Sequence, residues 1–77
     1  MSYHVGMVVQ ISLNEHFYAD ADGNGRGWPI SRVYNDEYAH FTINHVAPGK
    51  PKPIHLHGKY GDLGWVSPSA IMVVISG

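Results

Sequence analysis

The sequence predicts an all-β fold, a small barrel of five to six short strands with one helical turn near the C-terminus. Apolar residues alternate with polar or small ones near the N-terminus, which is the pattern of a half-buried strand. This pattern covers residues 5–13, with Val5, Met7, Val9, Ile11 and Leu13 on one face. No stretch of ten residues shows helical periodicity, and nine glycines and five prolines punctuate the chain. Short strands with such turns are typical of small barrels.

The remaining elements follow from the same patterns. We predict a long polar loop over 14–27, which contains the aromatic pair Phe17-Tyr18, and a second strand over 28–34. A turn and a third strand come next, over 35–37 and 38–46, followed by a proline-rich hairpin loop, a short histidine-containing strand and a second loop, over 47–53, 54–57 and 58–64. A strand beginning at 65–66, a helical turn at 67–70 and a strand over 71–75 complete the chain, and proline at the start of that turn loses no needed hydrogen bond.

Length and composition indicate one domain, residues 1–77, without a disulfide, because the chain has no cysteine. Five Lys and Arg against six Asp and Glu leave no basic surplus for nucleic acid or anionic lipid. The segment MSYHVGMVV lacks the pattern of a signal peptide, and no apolar run reaches transmembrane length. We therefore expect a monomer that binds neither nucleic acid nor membrane.

The stretch DADGNGRGW, residues 20–28, begins like a calcium-binding loop. Asp20, Asp22, Asn24 and Gly25 match the first loop positions, but Ser31 occupies the position where a bidentate glutamate is required. Aspartate, asparagine and glycine are also the residues that build tight turns. The sequence favours a turn that forms one wall of a binding groove, and a weak, water-completed calcium site remains open.

Two histidines, His55 and His57, share one face of a predicted strand about 7 Å apart. They could present two nitrogens to zinc, but a zinc site needs at least a third protein ligand, which the sequence does not specify. A solvated pair is the favoured interpretation, and we expect neither a metal nor another cofactor.

The sequence does not predict an enzyme. No nucleophile is paired with a histidine and an acid, and the carboxylates fall in predicted turns: Asp20, Asp22, Asp36, Glu37 and Asp62. A catalytic pair would need an apolar cleft that raises one pKa.

Nine aromatic residues are many for so small a core. Phe41 and one of the two tryptophans fit core positions. The others could pack their rings on the barrel with wet hydroxyls, or form an aromatic groove for a peptide or sugar ligand. The candidate ligand-binding residues are Tyr18, Asp20, Asp22, Trp28, Tyr34, Tyr38 and Tyr60.

Four segments together resemble bacterial SH3-like domains of the phage endolysin type. They are YHVGMVVQIS at 3–12, FYADADGNGRGWPISRVY at 17–34, PIHLHG at 53–58 and GDLGWVSPSAI at 61–71, in which Gly-Trp-Val is the most specific motif. The resemblance implies an SH3-like barrel and a noncatalytic module that binds cell-wall peptidoglycan or its peptide crosslinks, attached to a lytic enzyme. The high histidine content and the continuation over 72–77 depart from the family pattern.

Two other functions remain open at this point. One is an intracellular small barrel that binds RNA or protein, which would carry a basic stripe, whereas Arg26, Arg32 and Lys59 are scattered. The other is an engineered scaffold of the same fold.

Overall fold

The structure, a computed structural model, describes residues 3–33, 40–58 and 61–77. These residues form seven strands, one turn of α-helix and one 3₁₀ turn. The elements are β1 (Val8–Ile11), β2 (His16–Tyr18), β3 (Arg26–Pro29), α1 (Ile30–Val33), β4 (His40–Val46), β5 (Ile54–Gly58), β6 (Gly61–Val66), the 3₁₀ turn (Pro68–Ala70) and β7 (Ile71–Ser76).

All seven strands belong to one antiparallel sheet in the order β3-β2-β6-β5-β4-β1-β7. The sheet curls into a half-barrel with almost no helix, which confirms the predicted all-β class and the helical turn before the last strand. The predicted number of five to six strands is wrong, because the described residues form seven. In the part of the chain that the structure describes, no helix is long and apolar enough to span a membrane.

The prediction of a long loop over 14–27 is wrong in part, because β2 and the start of β3 form a hairpin within this segment. Strand β2 pairs with β3, and β2 also joins the main sheet through the pair Tyr18 and Trp65. The segment is polar and rich in glycine, so its composition predicted a loop. Pairing with β6 supplies hydrogen bonds that local composition does not reveal.

The strand predicted over 28–34 is also wrong over residues 30–33, which form α1. Residue 34 and the turn predicted over 35–37 lie outside the described residues. The amide of Ile30 donates to the Glu15 carbonyl at 2.8 Å, and the amide of Ser31 donates to the Leu13 carbonyl at 3.0 Å. The Ile30 side chain is completely buried. These contacts hold the chain after Pro29 beside the segment before β2, and the Ile30 side chain enters the core.

Two further strands start at other residues than predicted. The first strand starts at Val8 rather than at 5, because Gly6 has a positive φ of 98° that interrupts the regular strand, although its amide still donates to the Ile43 carbonyl of β4. Strand β6 starts at Gly61, earlier than the predicted 65, because residues 61–64 pair with β5.

The core lies on the concave side of the sheet and is entirely apolar among the described residues. Phe17 and Phe41 meet edge to face with ring centroids 6.2 Å apart. Neither tryptophan belongs to this core, contrary to the sequence prediction: Trp28 is 64% exposed and Trp65 is half-buried on the outer face. The buried apolar residues are Met7, Val9, Ile11, Phe17, Ile30, Phe41, Ile43, Ile54, Leu56, Val66 and Ala70.

Gly64 allows β2 to cross close over β6. A Cβ at this position would lie 2.8 Å from the Tyr18 carbonyl oxygen and 2.9 Å from the Phe17 Cβ. Real side chains do not reach such distances unless a neighbour moves, and here the neighbour is backbone. The glycine of the Gly-Trp-Val motif thus positions the β2–β3 hairpin on the sheet.

Candidate functional site

A groove of about 320 Å³ lies between the β2–β3 hairpin and the start of β6. It occupies the place where the sequence predicted a binding groove, beside residues 17–28. We call it the Tyr18–Trp28 groove, and its lining residues are Phe17, Tyr18, Ala19, Gly25, Gly27, Trp28, Asp62 and Leu63.

Glycines bring the two sides of the hairpin together at this groove. Gly25 has a φ of 67°, and a Cβ there would lie 2.6 Å from the Ala19 Cβ. A Cβ at Gly27 would lie 3.2 Å from the Phe17 carbonyl oxygen. Because glycine has no side chain, main-chain atoms form part of the groove lining, so a ligand can approach the backbone closely.

Two aromatic residues give the groove its character. Trp28 is 64% exposed, so most of its ring surface is accessible to a ligand. The half-buried Tyr18 has the Lys52 Nζ 4.5 Å from its ring centroid, within the range of a cation–π interaction. The structure therefore brings together two of the seven residues that the sequence proposed as ligand-binding.

Asp20 organises the loop instead of lining the groove. Its Oδ1 accepts the amides of Asp22 and Asn24, each at 3.0 Å, and its Oδ2 accepts the Asn24 side-chain amide at 3.3 Å. These hydrogen bonds, led by the one from the Asn24 amide, lower the pKa of the Asp20 carboxyl. Both carboxylate oxygens bind the loop's own N–H groups, which is the geometry of a tight turn.

Asp22 connects this loop to the loop between β4 and β5. Its carboxylate forms an ion pair with Lys50 at 3.1 Å, and the Lys52 amide donates to the Ala21 carbonyl at 2.8 Å. Asp22 therefore contacts the neighbouring loop through an exposed ion pair and, like Asp20, does not line the Tyr18–Trp28 groove. In residues 3–33, 40–58 and 61–77, no three acidic or histidine side chains come together as a metal site would require.

His16 supports the other side of the hairpin. Its Nδ1 lies 2.8 Å from the Gly27 carbonyl oxygen, and its Nε2 lies 2.9 Å from an Arg26 guanidinium nitrogen. A carbonyl only accepts and a guanidinium only donates, so Nδ1 carries the proton and Nε2 accepts. The His16 ring therefore links β2 to β3 through the Arg26 side chain and the Gly27 main chain.

The other three proposed residues, Tyr34, Tyr38 and Tyr60, lie outside the described residues.

A second surface, which the sequence did not predict, lies on the outer face of the sheet. The strand register places His45 opposite His55, His55 opposite Trp65, and Trp65 opposite Tyr18. Side chains directly opposite one another share a face, so four rings form a row across β4, β5, β6 and β2. The Trp65 ring meets His45 and His55 edge to face, with centroids 5.5 and 5.0 Å apart.

A depression of about 290 Å³ opens on this surface. We call the surface around it the histidine–tryptophan face, and the residues that line it are Asn44, His45, His55, Asp62 and Trp65. A bulge in β4 creates the depression. Ile43 pairs with Leu56 and His45 with His55, so Asn44 is an extra residue and both Asn44 and His45 are exposed. Strict alternation would have sent one of them inward.

A chain of hydrogen bonds orders the polar groups of this face. His55 Nδ1 donates to Asn44 Oδ1 at 2.6 Å, and Asn44 Nδ2 donates to Asp62 Oδ1 at 3.0 Å. His57 Nδ1 lies 3.3 Å from the same Asp62 oxygen. The predicted pair His55 and His57 therefore shares one network, linked through the Asp62 carboxylate.

This arrangement sets the charges of the face. Burial lowers the pKa of His55, an effect that the nearby His45 and His57 reinforce and Asp62 opposes. Hydrogen bonds from His57 and Asn44 lower the pKa of the Asp62 carboxyl. At neutral pH the face therefore presents an ionised carboxylate and a neutral His55 ring.

Comparison with protein-family models finds no match for this chain, and comparisons with curated proteins and with solved structures find none either. Inferences about function therefore depend on the resemblance of the sequence motifs and on the geometry of these two surfaces.

Proposed function

We propose that this chain is a noncatalytic module that binds bacterial cell-wall peptidoglycan, with the Tyr18–Trp28 groove as the site for its peptide crosslinks. The observation that carries the proposal is the exposed Trp28 ring beside an apolar groove. Large exposed aromatic residues in grooves are typical binding hot spots, because they offer rigid contact area at small entropic cost.

The composition of the groove favours an extended peptide. Gly25 and Gly27 leave the main chain accessible, Trp28 and Tyr18 supply aromatic surface, and the exposed Asp62 supplies an acceptor at one end. Peptide recognition commonly combines main-chain hydrogen bonds with shallow side-chain pockets. A net charge of −1 is compatible with a ligand of low charge.

Asp20 and Asp62 lack the property that a catalytic general acid needs. The pKa values of Asp20 and Asp62 are both lowered by hydrogen bonds, so both groups are ionised at neutral pH. A general acid needs the opposite shift, a pKa raised towards neutrality by burial.

Sedimentation with purified bacterial cell walls tests the proposal, with Trp28→Ala as the principal variant. Truncating a hot-spot aromatic costs about 2 kcal/mol or more, so we expect roughly thirtyfold weaker binding. Met72→Ala is the matched control, because Met72 on β7 is 67% exposed and does not line the groove. The thermal midpoint of each variant, measured in parallel, verifies that both proteins fold.

Equal wall binding by Trp28→Ala and Met72→Ala would place the site elsewhere. If the wild type sediments with no wall preparation, Gram-positive or Gram-negative, the wall-binding proposal is wrong.

A further inference from the structure

The histidine–tryptophan face has the features of a second binding site, separate from the Tyr18–Trp28 groove. It combines the half-buried Trp65 ring, two imidazoles and one carboxylate around a depression of about 290 Å³. Asp62 lines both this depression and the groove, so the two surfaces adjoin at β6. A ligand long enough to occupy both would pass over this residue.

The hydrogen-bond network determines what such a ligand must offer. The Asn44 side chain is used internally, because its oxygen accepts from His55 and its nitrogen donates to Asp62. Since His55 donates from Nδ1, its Nε2 is an acceptor in the neutral ring. Asp62 Oδ1 receives both network bonds, and no described residue donates to Oδ2. Asp62 Oδ2 and His55 Nε2 are acceptors, whereas the Trp65 indole N–H is a donor, so a ligand must bring donors for the first two groups.

Among donor ligands, the size and mixed character of the depression favour a sugar ring. A pyranose presents hydroxyl and amide donors along its edge and C–H groups on its face, which can lie against an aromatic ring. A lone ammonium group would use Asp62 but not the apolar surface of Trp65 or the neutral His55. Among the described residues, no three His, Asp or Glu side chains are arranged so that they could hold a metal ion.

We infer that the histidine–tryptophan face binds one pyranose ring of a saccharide, with Asp62 and His55 accepting its hydroxyl or amide hydrogens and Trp65 packing against its C–H face. The inference rests on the proposed function in one respect: the physiological source of this saccharide is then the amino-sugar strand of peptidoglycan. The groove then holds the peptide and this face holds the adjoining glycan of the same wall polymer.

Titration of the ¹⁵N-labelled protein with chitotriose, the trimer of N-acetylglucosamine, tests the inference without cell walls. We expect saturable shifts of the Trp65 indole signal and of the amides of Asn44, His55 and Asp62. A dissociation constant of about 1 mM is the expected order for one ring on an open surface. Asp62→Asn should weaken binding about tenfold or more, because hydrogen bonds to a charged acceptor are the stronger ones.

Two variants complete the design. Glu15→Gln removes the same charge at a residue that lines neither surface, and it should leave chitotriose binding unchanged. Trp65→Phe keeps an aromatic ring in the sheet and should also weaken binding, with a thermal midpoint measured in parallel to verify folding. Cadaverine, a diamine, serves as the alternative donor.

The inference is overturned if chitotriose shifts none of these signals, if Asp62→Asn binds it as tightly as the wild type, or if cadaverine binds in its place. The proposed function can fail independently. Chitotriose binding without wall sedimentation would leave a saccharide site in a protein of another function, and wall sedimentation without chitotriose binding would leave the groove alone.

Discussion

Gly64→Ala is the substitution that most directly tests how the β2–β3 hairpin is attached to the sheet. The added methyl group would lie 2.8 Å from the Tyr18 carbonyl oxygen and 2.9 Å from the Phe17 Cβ. Neither neighbour is the flexible end of a side chain, so β2 itself must move away from β6.

Two costs add in this variant. Overpacking a well-packed position destabilises by about 1–3 kcal/mol. The backbone adds about 1 kcal/mol, because Gly64 has a φ of 152° that residues with a Cβ rarely adopt. The free energy of unfolding should therefore fall by about 2–4 kcal/mol, which lowers the thermal midpoint of so small a domain by roughly 10–30 °C.

Gly49→Ala is the matched control. Gly49 also has a positive φ, 85°, but a Cβ there would meet nothing within 4 Å. It should show the backbone cost of about 1 kcal/mol without the steric one. Urea denaturation of both variants measures the difference. Equal destabilisation of the two would show that the close approach of β2 at Gly64 is not a constraint, and the account of the groove's position would fail with it.

Two further predictions concern titration. Asp20→Ala should destabilise the protein at neutral pH more than Asp22→Ala, because Asp20 accepts three hydrogen bonds from its loop and Asp22 forms one exposed ion pair. Since the pKa of Asp20 is lowered, its contribution is present above its ordinary pKa of 3.8 and lost below it, so thermal midpoints of Asp20→Ala and the wild type should converge in acid. His55 should titrate below its ordinary pKa of 6.5 in an NMR experiment, and Asp62→Asn should lower its pKa further, because the Asp62 charge favours the protonated ring. Its contribution to stability is then full above pH 6.5 and declines as the pH falls from there, and an unchanged or raised His55 pKa in Asp62→Asn would contradict this electrostatic picture.

Much of the fold could be predicted from local pattern. The alternation through Val9 and Ile11, and that of Ile54 and Leu56, identified strands whose buried faces the structure confirms. Pro68 identified the 3₁₀ turn. These signals are reliable because a strand buried on one face must alternate, and because proline restricts its own φ.

The errors in the fold arose where tertiary contacts override composition. His16–Tyr18 is a strand because it pairs with β6. The polar, glycine-rich composition of this segment does not predict that pairing. The residues after Pro29 form a helical turn because the Ile30 side chain is buried in the core and its amide donates to the Glu15 carbonyl. Both depend on contacts between residues distant in sequence.

The site divides in the same way. The sequence proposed Tyr18 and Trp28 as ligand-binding residues, and the structure places both at one groove. Asp20 and Asp22, which the sequence also proposed, form contacts within and between the neighbouring loops. The sequence also showed that His55 and His57 share a strand face. It could not show that a bulge at Asn44 turns His45 to the same side, or that Trp65 and Asp62 meet them from β6.

Local sequence patterns predict the all-β class, the alternation that defines the core, the final helical turn and the residues of the tight loop, because these features depend on interactions within a few residues. The pairing of β2, the helical turn at Ile30 and the row of rings across four strands depend on contacts between segments that are distant in the chain. Strand register sets these features, and a bulge of a single residue changes which side chains share a face.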